Sequence, residues 1–148
     1  MATYLVKRKD GGVTILNTVD GVSPEACIAK WHSSRQAEVV SYREAGQAGI
    51  PDDRTFRNAW CDVTDEPVVD IDMAKARDIQ RDRLRELRKP RLAALDIEMS
   101  RAYNRSPAIR DVIEAKRQAL RDVTQDPMID AALTAGELKD AIPDILKG

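Results

Sequence analysis

The feature that most limits what this chain can fold into is a change of composition part-way along it. Both tryptophans, the only phenylalanine and most of the glycine lie before residue 61, whereas the stretch after Asp70 is rich in Ala, Leu, Arg and Asp. Turn formers and aromatics suit strands and loops, and the later composition suits helices. The 148 residues therefore read as two units. Residues 1–70 form a small α+β head, and residues 71–148 a helical hairpin with a short C-terminal helix. A chain of this length buries roughly 70% of its unfolded surface, enough to fold alone.

In the head, Thr3 to Lys7 and Val13 to Leu16 are short apolar runs separated by Arg8-Lys9-Asp10-Gly11-Gly12, which predicts a β-hairpin with glycines in its turn. Ser23-Pro24-Glu25 offers an N-cap, a proline at the first helical position and an acid near the positive helix end. With Cys27, Ile28 and Trp31 at helical spacing, it predicts one helix of about three turns lying on the hairpin. Val39 to Glu44 reads as a further strand, and Val68 to Ile71 as a last one. The expected class is α+β, a sheet with one covered face, followed by helices.

In the second unit Asp72 is a candidate N-cap. Met73, Ala76, Ile79, Leu84, Leu87, Leu92, Leu95, Met99 and Ala102 form an apolar stripe that shifts phase near Pro90, predicting one long kinked helix. Asn104-Arg105-Ser106-Pro107 ends it, with Ser106 as cap of a second helix whose buried side is Ile109, Val112, Ile113, Lys116, Leu120 and Val123. After Asp126-Pro127, Thr134 to Glu137 has capping-box spacing and opens a final short helix. Two helices with one apolar stripe each leave those stripes unfinished. They need a third partner, from this chain or another.

Catalytic, cofactor and metal sites are not expected. The lone histidine, His32, falls near the end of the first helix, where a cation is favoured, and reads as a cap or surface residue. Cys27 and Cys61 form no CxxC pair and read as small buried hydrophobes, which also makes a disulfide between them unexpected. Gly11-Gly12 lacks the lysine of a phosphate loop. Asp52, Asp53, Asp70 and Asp72 sit where helices should begin and read as caps. Lys plus Arg number 24 against 25 Asp plus Glu, so no global field draws the chain to nucleic acid or to an anionic membrane. No apolar run approaches the ~20 residues that span a bilayer, and Met1-Ala-Thr-Tyr has no signal-peptide character, so the chain reads as made in a cytosol.

Two stretches carry the sharper readings. The basic run Lys75, Arg77, Arg81, Arg83, Arg85, Arg88, Lys89 and Arg91 suggests a nucleic-acid-binding helix. Asp78, Asp82 and Glu86, however, stand three residues before Arg81, Arg85 and Lys89, which favours a solvated ion-paired face. In Asp53-Arg54-Thr55-Phe56-Arg57-Asn58-Ala59-Trp60, a helical turn capped by Asp52 or Asp53 would stack Phe56 and Trp60 on one face. That reads as a hydrophobic plug between the two units in preference to a ligand pocket.

The segments DRTFRNAW, DIDMAKARDIQRDRLRELRKPRLAALDIEM, AKRQALRDVTQDP and ELKDAIP, in that order, resemble a family of small proteins encoded by tailed bacteriophages and prophages, often among tail or other virion genes. The likeness spans roughly residues 40 to 146. The resemblance implies a virion location after synthesis in the host cytoplasm. It implies other phage structural proteins as partners; homo-oligomerisation within an assembly is expected beside it, and the short apolar runs lead to no expected membrane contact. It carries no catalytic residues. The function expected is therefore a structural protein of the tail, neck or fibre-attachment region that docks through the helical hairpin or the sheet edge, with Phe56 and Trp60 as packing between the units. A non-virion tail or fibre assembly chaperone, and a nucleic-acid-binding accessory protein acting through Lys75 to Arg91, are the alternatives.

Overall fold

The computed structural model describes every residue from Met1 to Gly148 and confirms the α+β class. It divides into two compact units, Met1–Lys75 and Ala76–Gly148. The division falls inside the first turn of the long helix, beyond the Asp70 boundary read from sequence. The reason is local: Lys75 Nζ donates to the Asp10 carbonyl of the head at 3.2 Å.

In the first unit, β1 (Ala2–Arg8) and β2 (Val13–Thr18) form the predicted antiparallel hairpin, with Leu5 opposite Ile15. Gly11 takes a φ of 80° in the turn, where other residues are strained. β3 (Val39–Ala45) pairs with the other edge of β1, giving the order β2-β1-β3. Successive side chains of a strand point to opposite faces, and Leu5 and Val6 are both fully buried. The central strand is thus covered on both faces, not on one as expected. Behind Leu5 lie Val13, Ala45, Ile50, Trp60 and Val69.

The single three-turn helix expected after Ser23 is two short ones, α1 (Pro24–Ile28) and α2 (Ser33–Ala37). Ser23 caps α1 as read, accepting from the Ala26 N–H at 3.2 Å. Two side chains make the break. His32 Nδ1 accepts from the Ser34 N–H at 3.3 Å, so His32 caps the N-terminus of α2 and does not sit at a helix C-terminus. Gln36 donates to the carbonyls of Ala29 and Trp31, which the end of α1 leaves open.

Residues 46–72 close the unit. Asp53 Oδ1 accepts from the Thr55 N–H and hydroxyl, a local turn that competes with helix, so no helix starts there. A 3-10 turn (Arg57–Ala59) leads into β4 (Trp60–Cys61), which pairs with β5 (Asp70–Ile71). Phe56 and Trp60 therefore do not share a helical face, although both are buried. Gly49 lets the chain pass under Pro67: a Cβ there would lie 1.9 Å from the Pro67 carbonyl oxygen.

The second unit is built on α3 (Met73–Ala102), which starts on Asp72, whose Oδ1 accepts from the Ala74 and Lys75 N–H groups. It continues through Pro90 as one element. After the turn comes α4 (Pro107–Asp122), with Ser106 at the cap position but making no side-chain bond. Arg88 donates to the Leu120 and Arg121 carbonyls, and Arg117 pairs with Asp96 at 2.8 Å, so α3 and α4 run antiparallel. α5 (Pro127–Ala131) is capped by Asp126 and α6 (Ala135–Asp140) by Thr134, whose Oγ accepts from the Glu137 N–H.

The segment after Val123 folds back along the first half of α3. Gln80, fully buried, donates to the Ala141 carbonyl at 2.9 Å. Leu84, Leu120, Val123, Ile129, Leu138 and Leu146 are all buried. The third partner the hairpin needs is, over this half, the chain itself.

Candidate docking surface

The groups with reactive chemistry are each held in a structural arrangement. His32 is a helix cap. Cys27 and Cys61 are free thiols, and burial raises the pKa of the Cys61 thiol. Asp70 closes a turn by accepting from the Val63 and Thr64 N–H groups at 2.8 Å each. No group of three or more His, Cys, Asp or Glu side chains stands close enough to share a metal ion.

The most buried carboxylate is one the sequence reading passed over. Asp62 has a fully covered side chain and accepts from Arg43 Nε and Nη2 at 2.8 and 2.7 Å, with Lys7 Nζ at 3.7 Å. Arg43 also donates to the Glu66 carbonyl, tying the 62–69 loop to β3. The bond from Arg43 holds the Asp62 carboxyl below its ordinary value. A carboxyl lowered by folding stabilises the fold above its unfolded pKa of about 3.9, and that contribution is lost as pH falls through the lower folded value. Asp62→Asn is expected to destabilise the first unit by roughly 2 kcal/mol at neutral pH, the range for a hydrogen bond to a charged group. Urea unfolding at several pH values should show the variant's deficit shrinking below about pH 4.

The basic run on α3 is spent inside the second unit or next to it. Arg81, Arg85 and Lys89 pair with Asp78, Asp82 and Glu86 at the predicted spacing. Arg77, Arg88 and Arg91 do something the spacing did not show: each donates to backbone carbonyls of the chain folded against it. Arg77 reaches Ala132, Arg88 reaches Leu120 and Arg121, and Arg91 reaches Ile145, Leu146 and Gly148. Arg83 bonds Gln80, and Lys75 bonds Asp10. Each cation proposed for a nucleic-acid contact already has a partner.

The stripe residues divide into three sets. Leu84, Ile113 and Leu120 are buried in the second unit, as Phe56 and Trp60 are in the first. Leu92, Leu95 and Met99 are half-buried. Leu87, Ile109 and Val112 are exposed, Val112 by 57%, and so is Lys116, which corrects the reading of Ile109, Val112 and Lys116 as buried. The fold-back segment bonds to α3 between Arg77 and Arg91 and so leaves the turn end of the hairpin uncovered.

At that end an open groove of about 600 Å³ runs between α3 and α4. Its floor is Ala102, Ala108, Ile109, Val112 and Ile113, and its rim is Glu98, Arg101, Arg105 and Lys116. Ile97 and Tyr103 add further exposed apolar surface on the same end of the hairpin. Nearby helix positions spaced three and four apart share a face, so Ile109, Val112, Ile113 and Lys116 line one side of α4. Exposed apolar residues scattered singly are ordinary, whereas a contiguous set marks a contact surface.

The fold and this groove define a class: an α+β head joined to a helical hairpin with an uncovered apolar end. No family model, curated protein or solved structure matches the chain. No helix is long and apolar enough to cross a membrane.

Proposed function

We propose that the chain is a structural component of a tailed-phage particle, in the tail, neck or fibre-attachment region, and that it works by docking to neighbouring protein. The uncovered apolar groove at the turn end of the hairpin carries this reading, because it sets exposed Ile109 and Val112 beside Ala102, Ala108 and Ile113 as one contiguous apolar surface. The resemblance of residues 40 to 146 to phage virion-associated proteins supplies the setting. A non-virion assembly chaperone would use the same surface. Mass spectrometry of purified particles separates the two, since a virion component is present stoichiometrically and a chaperone is absent.

Val112→Glu tests the surface itself. Val112 is 57% exposed, so the folded chain should tolerate the change within about 0.5 kcal/mol. A carboxylate in the centre of an apolar contact must lose its water when a partner covers it, and incorporation into particles should fall by at least about tenfold. Normal incorporation of a normally folded Val112→Glu chain would remove this groove as the docking surface.

A further inference from the structure

Resting on the docking reading, and naming the partner of that same groove, we infer that it receives an amphipathic α-helix of another protein whose apolar stripe is flanked by Asp and Glu. The charge of the rim carries this. Arg101, Arg105 and Lys116 are exposed and make no side-chain hydrogen bond or ion pair, in contrast to the eight cations between Lys75 and Arg91, each of which has a partner in the fold. Only Glu98 offsets them around the groove. The rim therefore carries a net charge of +2, from three cations and one carboxylate.

The backbone adds to the same sign. The groove opens at the N-terminus of α4, a helix of 16 residues, and Ser106 at its cap position makes no side-chain bond to the first-turn N–H groups. That end carries the positive pole of the helix dipole. An acidic flank on a docked helix meets both the free cations and this pole, and its apolar stripe meets Ile109 and Val112. A third helix laid between two antiparallel ones is the ordinary way a two-helix layer completes itself.

Two other occupants fit less well. A second copy docked groove to groove would set Arg101, Arg105 and Lys116 against their own equivalents, because a two-fold contact presents the same patch from both sides. Nucleic acid would find cations, but its bases would meet an aliphatic floor where stacking needs aromatic faces.

The test uses the full-length chain and two synthetic helical peptides with the same leucine stripe, one flanked by glutamate and one by lysine. The glutamate peptide should bind, with NMR shift changes centred on Ala102, Ile109 and Val112, and the lysine peptide should bind at least about tenfold more weakly. The triple variant Arg101→Glu, Arg105→Glu, Lys116→Glu alters only exposed, unbonded side chains. It should keep the parent's melting temperature, lose glutamate-peptide affinity about tenfold or more and gain lysine-peptide affinity. Four results would overturn the inference: equal binding of both peptides, no binding of either at millimolar concentration, a dimer on sizing that Val112→Glu dissociates, or binding of generic DNA that the triple variant abolishes in place of peptide binding. If any of these accompanies loss of Val112→Glu from particles, the docking reading stands and the acidic-helix partner falls.

Discussion

Trp60→Ala is expected to destabilise the first unit by about 3–5 kcal/mol, the cost of deleting a large buried aromatic. Trp60 is 2% exposed and shares a cluster with Leu5, Val13, Ala45, Ile50 and Val69, so its removal empties the centre of the space behind β1. The surroundings have little freedom to close the gap. Trp60 is pinned in register opposite Ile71, and Ala59 next to it is fully buried. Gly49 is held beneath Pro67, with the Val69 N–H donating to the Gly49 carbonyl at 3.0 Å. Urea unfolding followed by the fluorescence of Trp31, the tryptophan that remains, measures the loss. Trp60→Phe keeps most of the buried area and should cost clearly less. A Trp60→Ala chain that unfolds at the parent's urea midpoint would show that the ring contributes nothing to this core.

Local signals in the sequence were legible where the bonds they encode are local. The hairpin turn at Gly11, the caps at Ser23, Asp72 and Thr134, and the three-residue ion pairs of α3 all lie within four residues of their partners. What stayed hidden depends on partners far along the chain. Asp62 looks like any surface aspartate until β3 brings Arg43 to it from 19 residues away. The break between α1 and α2 rests on the Gln36 side chain reaching back seven residues to Ala29. The basic residues of α3 looked like a solvated face, yet Arg77, Arg88 and Arg91 reach carbonyls 55, 33 and 55 residues on. The docking groove is the clearest case. Periodicity puts Ile109, Val112, Ile113 and Leu120 on one helical side with equal claims to burial, yet Ile113 and Leu120 are buried and Ile109 and Val112 are not.

The same division sets up a paired result on α3. Leu84→Ala should cost the second unit about 3–4 kcal/mol, because Leu84 is fully buried and its truncation leaves a cavity as well as losing transfer free energy. Leu87→Ala, three residues on, should cost under about 1 kcal/mol, because Leu87 is 43% exposed and its side chain is partly in water already. Helical propensity does not separate them, since both changes put alanine in place of leucine in one helix. Thermal unfolding followed by helical circular dichroism reads the difference directly. Equal losses at the two positions would mean that Leu84 is not enclosed in solution as it is here. The uncovered apolar surface would then extend along both halves of the hairpin, and the turn-end groove would no longer be distinguished from the rest of the stripe. A large loss at Leu84 alone places the stability of the second unit in its buried half and leaves Ile109 and Val112 as exposed residues of the stripe.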